Sequence, residues 1–225
     1  MKRTLVAMVG LCLSAGLLAP LPAMAQKKSS VTPDLAILAQ GKAAAVNRTV
    51  TALAEGRRKG VRLDGRPGEG MVWLPDVQLT NGVVAFDVRG KDLLQQSFVG
   101  VAFHGLDDQT YEAIYFRPFN FRSEDAVRRV HAVQYVAQPA YTWQKLRAEF
   151  PGKYEAAVAP APDPNDWFHV RVEIAAPTVR VFVNQIASPV LIVEPLGQPA
   201  GGRLGLWVGN NSGGDFANLT ITTVQ

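Results

Sequence analysis

The chain is poor in the residues that most enzymes use for covalent or metal chemistry. It has one cysteine, Cys12, and three histidines, His104, His131 and His169, in 225 residues. Cys12 falls in an N-terminal apolar leader. The remainder therefore offers no disulfide, no thiolate nucleophile and no cysteine metal ligand. The histidines lack metal-ligand spacing. No glycine-rich phosphate loop opens a helix, and there is no serine nucleophile elbow. Long charge runs are missing too. With Lys2 and Arg3 set aside, 21 basic residues stand against 19 acidic ones, scattered except at "GRRKG", 56–60, which reads as a solvated hairpin turn. A nucleic-acid partner is not expected.

What is present begins with the leader. Lys2 and Arg3 precede the apolar stretch "TLVAMVGLCLSAGLLAPLPA", and Ala23-Met24-Ala25 has the small-x-small form of a signal peptidase site. Residues 1–25 read as a secretory signal, with Gln26 first in the mature chain. Pro20 and Pro22 argue against a retained span, and Leu11 before Cys12 argues against a lipid anchor. The expectation is a secreted or periplasmic protein with no membrane insertion after signal removal. An exported chain without disulfides suits a bacterial periplasm or cell surface. Residues 26–45 are expected to be a tether, and 46–225 a single domain.

From there strand signals dominate. Segments such as "GVVAFDVRG", "SFVGVAFHGL", "TYEAIYFRPF", "WFHVRVEIA", "TVRVFVN" and "GRLGLWVGN" are short, rich in Val, Ile, Phe or Tyr, and bounded by Gly, Pro, Asn or Asp. About a dozen of them with no helical repeat between predict an all-β antiparallel sandwich or barrel. One helix is predicted inside a long connection, 138–166. Thr142 would cap it, Trp143, Leu146 and Phe150 have helical spacing, and Pro151-Gly152 stops it.

The hairpin around "DDQ", 107–109, allows the faces to be sorted by parity. With the turn at Asp107-Asp108, Val101 faces Ile114 and Val99 faces Phe116, with Phe103 opposite Glu112 near the rim of the same core side. The other side pairs His104 with Tyr111, Ala102 with Ala113, Gly100 with Tyr115, and Phe98 with Arg117. Small residues in the middle and His104, Tyr115 and Arg117 around them describe a groove. Aromatic faces stack on sugar C–H surfaces, and Arg, His and Asn bond hydroxyls. The competing reading is a face covered by the 138–166 connection. Asn120, just beyond the strand, joins the candidates. Parity does not decide which side of "HAVQYVAQ" faces the groove, so both His131 and Gln134 are candidates. Trp207, flanked by Gly205 and Gly209 and off the core row of Leu204, Leu206 and Val208, is a stacking platform or a packing residue. Trp73, Trp143 and Trp167 read as structural, with Trp143 also placed to act as a lid.

The stretch "VRVFVNQIASPVLIVEPLGQPAGGRLGLWVGNNSGGDFANLTI", with "VVAFDVRGKD" and "FVGVAFH", resembles the concanavalin A-like lectin/glucanase superfamily, especially its laminin-G-like and 3-keto-disaccharide hydrolase branches. The resemblance covers 46–225. It implies a jelly roll of two curved sheets that binds a glycan on its concave face, and some members are glycosidases. The Glu-x-Asp-x-x-Glu strand of the retaining glucanases is absent, and parity puts no carboxylate pair on one face, where the chemistry needs a separation of about 5–10 Å. A carbohydrate-recognising domain is therefore expected. The alternative is a glycoside hydrolase or lyase acting on a modified sugar such as a 3-keto-glycoside. No metal site and no required cofactor are expected. "DDQT" and "SED" are the stretches that could offer oxygens to Ca²⁺, but neither is a full cage.

Overall fold

The computed structural model describes residues 28–41, 43–197 and 201–224. The expected signal, 1–25, lies outside them. Fifteen strands form two antiparallel sheets: β1 (Lys28–Val31), β2 (Ala45–Val46), β3 (Val50–Glu55), β4 (Arg58–Leu63), β5 (Gly70–Leu79), β6 (Gly82–Arg89), β7 (Val99–Gly105), β8 (Tyr111–Phe116), β9 (Val133–Gln138), β10 (Glu155–Ala156), β11 (Phe168–Ala175), β12 (Thr178–Val183), β13 (Leu191–Val193), β14 (Gly202–Val208) and β15 (Gly214–Val224). The first sheet runs β13-β12-β11-β6-β15-β4-β3, with β1 on the far end of β15. The second runs β10-β9-β8-β7-β14-β5-β2. This is an antiparallel sandwich, one of the two architectures that the strand pattern predicts, in the jelly-roll form that the resemblance implies.

The two sheets meet through alternate residues. In β6, Val84, Phe86 and Val88 are buried while their neighbours are half-buried, and β11 repeats the pattern with Phe168, Val170 and Val172. From the second sheet, Val99, Val101, Ile114 and Phe116 point into the same core, and Phe116 packs edge-on to Phe168 at 5.2 Å. Each such side chain contributes about 1.5–3 kcal/mol of burial free energy. The strands β7 and β8 are buried on both faces, so the outer face of the second sheet is covered as well.

The expected helix is α3 (Trp143–Glu149), with Thr142 Oγ1 accepting the Lys145 N–H. Two one-turn helices, α1 (Pro118–Phe121) and α2 (Ala126–Arg129), separate β8 from β9. Among the described residues no helix is long and apolar enough to cross a membrane. Of "GRRKG", Gly56-Arg57 form the turn of the β3–β4 hairpin, with Gly56 at φ +58°, while Arg58, Lys59 and the buried Gly60 already belong to β4, starting at the Glu55–Arg58 pair. Residues 26–45, expected as a tether, pack against the domain from Lys28 on. β1 pairs with the last strand, and a 3-10 helix (Leu35–Gln40) capped by Asp34 buries Leu35 and Leu38. Two serines and one valine, then two leucines three apart, are a weak signal for such a segment.

Candidate functional site

The site grows from the end of β8. Arg117 lies one residue past the strand, yet its N–H still bonds the Ala132 carbonyl at 2.8 Å. Its side chain therefore keeps the parity of Tyr115. Pro118, which needs no N–H partner, then starts α1. The chain returns through α2 and His131 into β9. The His131 carbonyl accepts from Arg117 Nη1 at 2.9 Å and from Asn120 Nδ2 at 3.1 Å. One carbonyl thus fixes a strand end, a helix and a loop together.

Above this junction is a pocket of 560 Å³. Arg117, Asn120 and His131 form one part of its lining. Arg128 of α2 adds to it, α3 contributes Trp143 and Arg147, and Leu94 and Phe98 come from the loop before β7. Trp143 is 38% exposed, and the Arg147 guanidinium lies 4.9 Å from its ring centre. Beneath α3 the buried Glu155 of β10 accepts Nε and Nη2 of Arg147 at 2.9 and 2.7 Å. Arg117 Nη1 lies 4.0 Å from the same carboxylate. His131 Nδ1 is 2.8 Å from Glu155 Oε2, but off the line of a hydrogen bond. Burial, and then the nearby Arg147 and Arg117, hold the His131 imidazole below its ordinary pKa against the pull of Glu155. Among the described residues no carboxylate lines the pocket.

A second depression, of 540 Å³, lies over Arg62, Arg89 and Asp215 on the first sheet. Both arginines there already grip Asp215 with two nitrogens each, and no aromatic ring lines it. Its arginines are already matched by Asp215, its free cation among the described residues is the exposed Lys91, and it offers a sugar no stacking face.

The structure separates the seven expected site residues into three groups. Arg117, Asn120 and His131 line the pocket. Tyr115, Gln134 and Trp207 do not; all three are buried. Tyr115 and Trp207 flank Gly100 on adjacent strands, and across the bare glycine their rings meet at 4.8 Å. A Cβ at Gly100 would lie 2.0 Å from the Ile114 carbonyl oxygen, so the strand has no room for a side chain. Trp73 likewise lies over Gly105 and Gly205, and Tyr111 packs edge-on to it. Gly100, read as part of a groove floor, makes room for neighbouring rings instead of a ligand. Gln134 ties β9 to the chain before β10 through the Tyr135 and Tyr154 carbonyls, and its Oε1 accepts from Arg117 Nη2 at 3.3 Å.

His104 stands apart from both groups. It was expected beside Tyr111, yet its Nδ1 is 2.7 Å from Glu112 Oε1 and its Nε2 donates to the Thr80 carbonyl at 2.9 Å. The cause is a bulge. Arg203 pairs with Gly105 and Gly205 with Ala102, so Phe103 and His104 together oppose Leu204. His104 takes φ +51°, which turns it to the side of Phe103. Glu112 also accepts a short hydrogen bond from the Tyr135 hydroxyl, which itself accepts the Leu196 N–H.

Sequence reading missed Arg128, Arg147 and Glu155. Arg147 follows Trp143 by four residues on one helix face, which is a legible pairing. Glu155, in a two-residue strand, gives no such signal. In "DDQT" and "SED" two carboxylates serve local turns, while Asp108 accepts from the Trp73 indole at 2.8 Å and from Arg203 Nη2 at 3.3 Å. Asp107 accepts the Gln109 and Thr110 N–H groups, and Asp125 caps α2. Among the described residues no three His, Cys, Asp or Glu side chains are grouped to hold a metal ion.

No protein-family model matches the sequence, and no curated protein matches it significantly. Solved structures do share the fold. A carbohydrate-binding module, CBM66 from Bacillus subtilis, aligns with a TM-score of 0.56 at 14% identity, over 79% of this chain and 94% of that one. A Bacillus subtilis protein of unknown function with a galectin-like fold aligns at 0.56 and 11% identity, over 89% and 99%. The exoplasmic/lumenal domain of VIP36, in a form bound to Ca²⁺ and Man3GlcNAc, aligns at 0.52 and 11% identity, over 80% and 83%. The fold is that of lectin-type β-sandwiches.

Proposed function

We propose that the protein is an exported carbohydrate-recognising domain that holds a sugar in the pocket between α3 and the β8–β9 junction. The observation that carries this reading is Trp143. It is an exposed indole on the same pocket as Arg117, Asn120 and His131. A sugar ring needs an apolar surface for its C–H face and fixed donors for its hydroxyls, and the pocket supplies both. The sugar-binding proteins that share the fold support the reading at the level of ligand class. The test is a glycan array followed by calorimetric titration of the best ligand against wild type and Trp143→Ala. A ligand whose affinity ignores Trp143 would move the site elsewhere.

One observation favours a second reading, a hydrolase or lyase acting on a modified sugar such as a 3-keto-glycoside. His131 lines the pocket, and burial lowers its pKa and so favours the neutral ring, the form that can accept a proton. An assay for new reducing ends with the bound ligand separates the two. Release that is lost in His131→Gln establishes the enzyme, and no release leaves a binding domain.

A further inference from the structure

We infer that the sugar taken by this pocket carries a negative charge, a uronate carboxylate or a sulfate. The inference rests on the saccharide reading above and narrows it. Three guanidinium groups, those of Arg117, Arg128 and Arg147, line one cavity. A single carboxylate answers them. Glu155 takes Nε and Nη2 of Arg147 and stands 4.0 Å from Arg117. Arg128 has only neutral acceptors among the described residues: Asn120 Oδ1 for Nε at 3.2 Å and the Phe119 carbonyl for Nη2 at 3.0 Å. Three positive charges against one negative charge leave the cavity with an excess of two.

The free valences agree with the charge count. Among the described residues Nη1 of Arg128 and Nη1 of Arg147 make no hydrogen bond, although both side chains line the pocket and each is fixed by its other two nitrogens. A guanidinium whose plane is already set loses little further freedom on binding, and its remaining N–H groups suit the oxygens of a carboxylate or sulfate. The nearest acidic residues of α2 do not cancel the excess. Asp92, Glu124 and Asp125 share a separate depression with Arg128, but among the described residues none of them stands within ion-pair distance of its guanidinium. A neutral sugar could use hydroxyl partners here, but it would leave the excess charge uncompensated in a partly desolvated site.

The test compares each charged oligosaccharide with its neutral twin. Oligogalacturonate and oligomannuronate are titrated beside their carboxyl-reduced forms, sulfated agaro-oligosaccharides beside unsulfated ones, and neutral glucan, xylan, mannan and fructan oligomers complete the panel. The expected result is a charged ligand bound at least about tenfold tighter than its twin, the usual scale of one charge-assisted hydrogen bond. The preference should shrink between about 50 and 500 mM salt as screening sets in. The uronate and sulfate arms identify which anion is read. Arg128→Gln should reduce the charged-to-neutral ratio about tenfold. Arg128→Lys should keep part of it, and Arg180→Gln on β12 should leave it unchanged. If a neutral twin binds as tightly as the charged form, the charge inference falls and the saccharide reading stands. If a neutral panel member binds best, the result is the same. If no saccharide binds at all, both fall.

Discussion

The Tyr115 ring lies over the Trp207 ring, with centroids 4.8 Å apart and planes inclined at 34°, and both residues are buried. Phe98 meets Tyr115 edge-on at 6.1 Å, and Arg117 Nη2 donates to the Tyr115 hydroxyl at 2.9 Å. Burial, only partly offset by Arg117, pushes the phenol pKa up to about 12. This outer layer is buried, as is the layer between the sheets. Tyr115→Ala is therefore expected to cost about 3–5 kcal/mol, as much as or more than the 2–5 kcal/mol of Ile114→Ala on the opposite face. Urea denaturation of the two variants checks it. A Tyr115→Ala protein of wild-type stability would mean that the ring faces solvent or ligand.

His104 gives a pH dependence of stability. Burial disfavours its imidazolium, but the hydrogen bonds to Glu112 and the Thr80 carbonyl, with the charge of Glu112, outweigh that and raise its pKa above 6.5. The folded state thus holds the proton more tightly than the unfolded chain. The resulting stabilisation is complete below pH 6.5 and is lost as pH rises through the raised value. His131 behaves in the opposite sense, since its lowered pKa favours the neutral ring. Imidazole NMR should find His104 titrating above and His131 below the ordinary value. Denaturation midpoints of wild type, but not of His104→Asn, should fall above pH 6.5 to the extent that this pair sets them. Identical titration of the two rings would remove the basis of the prediction.

The strand pairing of β7 with β8 was readable because it rests on period two alone. Val99 with Phe116, Val101 with Ile114 and Gly100 with Tyr115 all pair as parity requires. Parity fails at His104 because one residue at positive φ reverses every face beyond it, and no residue type there announces the bulge. The pocket was only half readable. Arg117 and Asn120 are close to β8 in sequence, and His131 leads into β9. Arg147 and Glu155 come from a long connection whose path over the sheet depends on tertiary packing. Whether a small residue marks a ligand floor or a seat for a neighbouring ring also depends on three strands at once, and a single hairpin cannot show it.

Arg48 holds three segments together without a carboxylate partner among the described residues. Its guanidinium donates to the Ser212, Gly68 and Gly209 carbonyls at 3.3, 2.7 and 2.8 Å, and to its neighbour Asn47. Burial lowers its pKa. Removing the side chain leaves the buried Ser212 carbonyl unmet and takes one of its two donors from the buried Gly209 carbonyl, at about 1–3 kcal/mol each. Arg48→Met should therefore destabilise the domain by about 3 kcal/mol or more. Arg48→Lys should recover only part, because one ammonium cannot reach all the fixed oxygens. Thermal unfolding of the two variants decides; equal stability of Met and wild type would refute the clamp.

Trp143 provides the sharpest separation of binding from folding. It is the first residue of α3 and is 38% exposed, while Leu146, three residues on, is buried at 1%. The helix is anchored by Leu146 and by Arg147 on Glu155, so it does not need the indole to stay in place. Trp143→Ala is expected to leave stability within about 0.5–1 kcal/mol of wild type, as for a surface substitution. It should weaken saccharide binding by about 1–3 kcal/mol, the scale of one lost stacking ring. Trp143→Phe keeps an aromatic face and should recover most of the affinity. Leu146→Ala should do the reverse of Trp143→Ala in denaturation, costing about 2–5 kcal/mol through a core cavity. Calorimetric titration and urea denaturation of the three variants make the comparison. If Trp143→Ala unfolds as readily as Leu146→Ala while sugar affinity is unchanged, the indole is a packing residue and the pocket beneath it is not the site.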